Sequence, residues 1–101
     1  MKMTHIERIT DMEQRYDRID EALRALEKAV DSITSLEDDI TKLDNYYSGD
    51  EWKADFESDE QGLLPQDLKR GILSEDAIWN LLERINSVKH RMRDFALTEL
   101  E

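Results

Sequence analysis

Apolar side chains recur every three or four residues through the first half of the chain. They stand at Ile6, Ile9, Met12, Tyr16, Ile19, Leu23, Leu26, Val30, Ile33, Leu36, Ile40, Leu43 and Tyr47. This spacing predicts an amphipathic α-helix, because a half-buried strand would alternate apolar and polar residues. At the start, Thr4 and Glu7 have the spacing of a capping box, and at the end Gly49 can adopt a positive φ. The pattern predicts a first helix over about residues 4–48.

An interruption of this helix is the alternative. Poor helix formers cluster at residues 31–35, where Ser32 could cap a new helix. The apolar residues keep strict a and d heptad positions from Ile9 to Ile33, and the stripe then drifts to g at Leu36. Because the period passes through the cluster without a jump in phase, we predict a continuous helix. A break near Ser32 would instead give a three-helix bundle.

A last helix is predicted over about residues 74–98. Ser74 is placed to cap this helix, and Leu73 to pack against Ile78 across the cap. The a and d positions are filled by Ile78, Leu81, Ile85, Val88, Met92 and Phe95. We therefore predict an all-α fold, with residues 1–101 as one helical domain in which the two helices form a long antiparallel hairpin.

The hairpin would leave part of the first helix uncovered. That helix would be on the order of 65 Å long and the last one only about 36 Å. The uncovered apolar side chains would be Ile6, Ile9, Met12, Tyr16 and Ile19. An exposed apolar stripe usually marks an interface. We therefore predict a homodimer through these residues, in which two hairpins form a bundle.

The segment between the helices, residues 49–73, is irregular and contains all the glycines and the single proline of the chain. Trp52 and Phe56 are four residues apart, which predicts a short helix from about Asp50 with one aromatic face. This helix and a turn at Pro65 would form a plug at the end of the hairpin. The aromatic residues are interpreted first as a small core and second as a binding surface.

Three sequence motifs in and around this segment support a family resemblance. They are Tyr46-Tyr47-x-x-x-Glu51-Trp52, Asp55-Phe56-Glu57-x-Asp59-Glu60-x-Gly62-x-Leu64-Pro65 and Asp67-Leu68-Lys69-Arg70-Gly71-x-Leu73-Ser74-Glu75-Asp76, followed by Leu81-Leu82. Over residues 46–82 the chain resembles a family of small bacterial proteins known as a domain of unknown function, DUF4298. The resemblance implies no catalytic residue and no cofactor.

The chain is strongly acidic, with a formal net charge of -11 over 101 residues. Nucleic acid binding draws its affinity from lysine and arginine, so we do not expect a nucleic acid partner. We expect a basic protein partner instead. There is no cysteine, which excludes disulfides and thiolate chemistry. The first residues lack the apolar run of a signal peptide, and no later stretch is long and apolar enough to cross a membrane. We expect a soluble, cytoplasmic protein.

Candidate chemistry in the sequence is sparse. Asp55-x-Glu57-x-Asp59 alternates oxygen ligands as an EF-hand loop does, but Glu60 and Gln66 occupy the positions of the required glycine and bidentate glutamate. Neither His5 nor His90 has a partner at ligand spacing. The polar residues on the apolar seams are Glu37, Asp44 and Glu99. A metal-dependent hydrolase or nucleotide-processing enzyme built from them is the alternative hypothesis. We predict no catalytic residue, metal site or cofactor.

The favoured function is a small, non-catalytic interaction module. Its partner would be a protein, steered by the acidic segment and held by exposed aromatic side chains. Trp79 falls at heptad position b, so it is interpreted first as packing under the central segment and second as a partner-binding residue. The candidate partner-binding surface comprises Tyr46, Tyr47, Asp50, Glu51, Trp52, Asp55, Phe56, Glu57, Asp59, Lys69, Arg70 and Trp79.

Overall fold

A computed structural model describes residues 4–99, and within them the protein is entirely helical, with no β-strand. The helices are α1 (His5–Thr34), α2 (Glu37–Ser48), α3 (Asp50–Glu60), a 3-10 turn (Gly71–Leu73) and α4 (Ala77–Ala96). The all-α class predicted from the sequence is confirmed. The chain divides into two compact units, Met1–Asp38 and Asp39–Glu101. The antiparallel hairpin and the two-chain bundle stay predictions.

The first unit is built on α1. The backbone N–H of Glu7 donates to Thr4 Oγ1 at 3.1 Å, so the threonine caps the helix as its spacing predicts. Ion pairs one turn apart join Arg15 to Asp11 and Arg24 to Asp20, each at 3.1 Å. No residue of α1 is buried. Its apolar stripe is therefore exposed along most of the helix, and Val30 is half-buried.

The continuous helix predicted over residues 4–48 is two helices, separated at Ser35 and Leu36. The Leu36 N–H donates to the Ile33 carbonyl at 3.1 Å, and the Ser35 hydroxyl donates to the Ser32 carbonyl at 2.7 Å. Serine hydroxyls offer the backbone such local alternatives to helical hydrogen bonds. The interruption also falls where the apolar stripe passes from Ile33 at d to Leu36 at g. The drift of the apolar stripe off the a and d positions therefore coincides with the interruption of the helix.

The core of the second unit lies around the start of α4. Ile78 is 2% exposed and Leu73 is 6% exposed, and they are the buried apolar residues of the described chain. The sequence placed the start of this helix at Ser74, but α4 begins at Ala77. The Leu73 and Ser74 N–H groups instead close the 3-10 turn onto the Arg70 and Gly71 carbonyls. That turn takes up the residues that were expected to form the first helical turn.

A glycine cap ends α3. The Gly62 N–H donates to the Asp59 carbonyl and the Leu63 N–H to the Ser58 carbonyl, both at 3.0 Å, which is the Schellman arrangement. Gly62 has φ +73°, a conformation in which a side chain is unfavourable. The sequence assigned a positive φ to Gly49, and this was wrong. Gly49 has φ −95°, and a Cβ there would make a tight contact of 3.1 Å with the Asn45 carbonyl oxygen.

Candidate functional site

Trp52 is the centre of an aromatic cluster at the junction of α2 and α3. Its ring stacks on Phe56 with centroids 5.1 Å apart and planes 19° from parallel. Tyr47 meets the same indole edge-on, with centroids 5.2 Å apart. Both geometries suit the quadrupoles of aromatic rings. The four-residue spacing of Trp52 and Phe56 on α3 thus builds a packed cluster.

The cluster is tied to the backbone that precedes α4. The Trp52 indole N–H donates to the Ile72 carbonyl at 2.8 Å. The Tyr47 hydroxyl donates to the Glu75 carbonyl at 3.3 Å, 28 residues further along the chain. Polar ends of half-buried aromatic side chains usually find such partners. The hydrogen bonds of Trp52 and Tyr47 are therefore made within the second unit.

Tyr46 is bound to an acidic residue of α3. Its hydroxyl donates to Asp55 Oδ2 at 2.7 Å. Burial raises the pKa of Tyr46 from 10.0 to about 12, with further contributions from the hydrogen bond to Asp55 and from the negative charges of Asp55 and Glu51. A phenolate here would face two carboxylates. Tyr46 is therefore held as a neutral hydrogen-bond donor.

Arg70 joins the end of α3 to the loop that follows it. Its guanidinium donates to Asp59 and to the Pro65 carbonyl, and also to the Leu68 carbonyl at 3.3 Å. The Pro65 carbonyl additionally accepts the Leu68 N–H at 3.2 Å, which closes the turn expected at this proline. The side chains of Arg70 and Asp59 are 30% and 25% exposed, so the pair is partly shielded from water. One arginine thus fixes the loop and neutralises one acidic residue.

The remaining candidate residues point to solvent. Asp50, Glu51 and Glu57 are exposed on α3, and Lys69 is exposed in the loop. Trp79 is 54% exposed. The packing of Trp79 under the central segment, which the sequence favoured, was therefore wrong. The predicted surface divides into side chains that hold the second unit together and side chains that are exposed to solvent.

Comparison with protein families agrees with the motifs. The family model described as a domain of unknown function, DUF4298, matches residues 9–95. The chain belongs to the DUF4298 family. The resemblance seen at residues 46–82 is thereby confirmed, and the match extends beyond the central segment into α1 and α4. Searches among curated proteins and among solved structures each gave no match.

The motifs of this DUF4298 protein have structural explanations. The Glu-Trp motif supplies the indole of Trp52, the Asp-Glu-x-Gly motif supplies the ion-paired Asp59 and the cap at Gly62, and the Lys-Arg-Gly motif supplies Arg70. Sequence reasoning did not find the carbonyl acceptors of Ile72, Glu75 and Pro65. No signal could have found them, because every residue carries a backbone carbonyl.

The acidic triplet of the DUF4298 motif is helical. Asp55, Glu57 and Asp59 all lie within α3, whereas an EF-hand presents its ligands from a loop. Asp55 accepts from Tyr46 and Asp59 from Arg70. Among residues 4–99 no group of three or more histidine, aspartate or glutamate side chains could hold a metal ion. In the same part of the chain, no helix is long and apolar enough to span a bilayer.

Proposed function

We propose that this DUF4298 protein is a non-catalytic interaction module that binds a basic protein partner through the exposed part of its central motif. The observation that carries the proposal is the exposure of Trp79, at 54%, directly after the most buried residue, Ile78. The indole is therefore displayed from a backbone anchored in the core. Exposed tryptophan on a rigid element is the residue type most enriched at the energetic centres of interfaces.

Charge supports a basic partner. Asp50, Glu51 and Glu57 are exposed on α3, and the whole chain carries a formal charge of -11. An acidic surface accelerates the encounter with a basic protein and disfavours acidic ones. Arg70 does not offset this surface fully, because it is already paired with Asp59. The acidic residues would set the orientation and rate of binding, and Trp79 would supply the local affinity.

Self-association through α1 is the second part of the proposal. Ile6, Ile9, Met12, Tyr16 and Ile19 are all exposed on α1. They lie on one face of the helix, and a contiguous apolar face of this kind is typical of a protein interface. The module would therefore act as a homodimer.

The proposal is tested by capture of partners from a lysate of the native host with immobilised protein. Three baits are compared: the wild type, Trp79→Ala, and Phe95→Ala as the control. Phe95 is matched to Trp79 because it is an exposed aromatic residue of the same helix, 71% exposed, outside the central motif. A basic protein retained by the wild type and by Phe95→Ala, but lost with Trp79→Ala, is the expected result.

Binding of the captured protein is then measured at rising salt concentration. Screening of the acidic surface should slow association. Equal capture by all three baits, or affinity that is independent of both Trp79 and salt, would refute the role of this surface. A metal-dependent hydrolase or nucleotide-processing enzyme stays the alternative hypothesis.

A further inference from the structure

From Ile9 to Ile33 the apolar stripe of α1 is a strict heptad seam, and Ile6 before it lies at position e. Its a positions are Ile9, Tyr16, Leu23 and Val30, and its d positions are Met12, Ile19, Leu26 and Ile33. Tyr16 and Ile19, in the middle of this seam, are each 67% exposed. A stripe confined to a and d is the pattern of a two-helix coiled coil, whereas a helix packed on a globular core has a wider apolar face.

Charges beside the seam distinguish the two orientations of a helix pair. The charged g positions are Arg8 and Arg15, the other g positions being alanine, and the charged e positions are Glu13, Asp20 and Glu27. In a parallel, in-register pair, each g residue faces the e residue five positions later in the other chain. Arg8 would then face Glu13 of a second copy, and Arg15 would face Asp20. In an antiparallel pair that aligns the whole seam, e positions face e positions, so Glu13 would face Glu27 and Asp20 would face its own copy.

We infer that α1 forms a parallel, in-register, two-stranded coiled coil with α1 of a second copy of this chain. The inference rests on the self-association in the proposed function and adds its orientation and register. Arg15 and Asp20 already pair within the helix, with Asp11 and Arg24, and each would add an interchain contact to that pair. A guanidinium has five N–H donors and a carboxylate accepts several hydrogen bonds, so each can serve two partners.

The structure also sets the end of the coiled coil. The heptad seam ends at Ile33, α1 ends at Thr34, and the next apolar residue, Leu36, falls at g, off the a and d positions. A coiled coil requires a continuous helix whose seam stays on one face. The paired segment is therefore residues 9–33.

Two single-residue variants of the full chain test the pairing of charges. Arg8→Glu would place two like-charged pairs in its homodimer, and so would Glu13→Arg. In a mixture of the two variants, both interchain pairs of the heterodimer would join opposite charges. We expect each variant alone to dissociate at roughly tenfold higher concentration than the wild type, and the mixture to recover wild-type dimerisation, measured by sedimentation equilibrium.

The mixing step separates interchain from intrachain effects. Arg8 contacts His5 Nδ1 at 2.9 Å, and losing this contact would weaken the Arg8→Glu chain in any pairing. Only a charge that faces the other chain can be rescued by mixing. If each variant alone weakens the dimer and the mixture does not restore wild-type dimerisation, the parallel register is overturned.

Spin labels provide an independent measurement of orientation. The chain has no cysteine, so Gln14→Cys, Glu21→Cys and Lys28→Cys each create one labelling site, and all three are f positions. A parallel, in-register dimer gives the same label-to-label distance at all three. In an antiparallel dimer, each step of seven residues changes the axial offset between labels by about 21 Å, so the three distances cannot all agree.

The outcomes separate the inference from the proposed function. Dimers with equal distances at the three sites support the parallel coiled coil. Dimers with unequal distances overturn the orientation and leave self-association standing. A strict monomer at high protein concentration overturns self-association and the coiled coil together, but not partner binding through Trp79.

Discussion

The indole N–H of Trp52 donates to the main-chain carbonyl of Ile72 at 2.8 Å, across 20 residues of sequence. This hydrogen bond joins α3 to the 3-10 turn that carries the buried Leu73. Trp52 also stacks on Phe56. A single side chain therefore links the central helix to the core of the second unit.

Replacing Trp52 should destabilise the second unit in two steps. Trp52→Phe keeps an aromatic ring but loses the hydrogen bond to Ile72, and we expect a loss of about 1 kcal/mol in the free energy of unfolding. Trp52→Ala also removes the stacking, and we expect a loss of about 2–3 kcal/mol, below the value for a fully buried tryptophan. Urea unfolding followed by circular dichroism measures both.

Trp79→Ala is the matched control for these variants. Its side chain is more than half exposed, so we expect its unfolding free energy to stay within about 0.5 kcal/mol of the wild type. A larger loss for Trp79→Ala than for Trp52→Ala would contradict the assignment of one tryptophan to the core and the other to the surface.

Arg70 should resist replacement by lysine. The guanidinium donates to both Asp59 and the Pro65 carbonyl, and a lysine ammonium cannot reproduce this planar two-point contact. We expect Arg70→Lys to cost about 1 kcal/mol in unfolding free energy and Arg70→Ala about 1–2 kcal/mol, because the ion pair is only partly shielded.

Lys69→Ala provides the comparison, since Lys69 is the exposed neighbouring cation. It should change stability by less than about 0.5 kcal/mol. If Lys69→Ala and Arg70→Ala were equally destabilising, overall charge and not the specific contacts of Arg70 would explain the loss.

Tyr46 should make stability fall at high pH. The folded state raises the pKa of its hydroxyl from 10.0 to about 12, so folding favours the neutral phenol. This contribution is complete below pH 10, decreases as the pH rises through about 12, and is absent once both states are ionised. Unfolding free energies across this range should fall more steeply for the wild type than for Tyr46→Phe. Parallel slopes would show that the Tyr46 hydroxyl has no raised pKa.

The two glycines that flank the loop should respond differently to alanine. Gly62 has a positive φ, so Gly62→Ala should cost about 1 kcal/mol although nothing lies within 4 Å of the added Cβ. Gly71 also has open space but no positive φ, and Gly71→Ala should be neutral or slightly stabilising. Equal unfolding free energies for the two variants would count against the left-handed cap at Gly62.

The apolar period was sufficient to predict an all-α chain, and local signals were sufficient for the cap at Thr4. The interruption at Ser35 was harder to predict. Its hydroxyl can bind a backbone carbonyl or point to water, and the apolar spacing is the same in both cases. Similarly, Gly49 and Gly62 both follow a helix, and only the backbone geometry shows which of them needs a positive φ.

The residues of the candidate site could be predicted from the sequence, but which of them pack within the second unit and which are exposed could not. Spacing placed Trp52 and Phe56 on one face of a helix, and the two rings stack. Trp79 lies beside a filled seam, and a residue at such a position can pack under a loop or face solvent. The choice depends on where the loop runs, and the loop is fixed by side-chain contacts to main-chain carbonyls, such as those of Arg70.

The different environments of Trp52 and Trp79 allow the intrinsic tryptophan fluorescence of the chain to report on two separate events. The indole of Trp52 is stacked and hydrogen-bonded, so its fluorescence should shift to longer wavelength when the second unit unfolds. The indole of Trp79 is already largely in water, so its emission should shift to shorter wavelength only when a partner covers it. With Trp52→Phe and Trp79→Phe to isolate each signal, unfolding and docking could be followed separately without an added label.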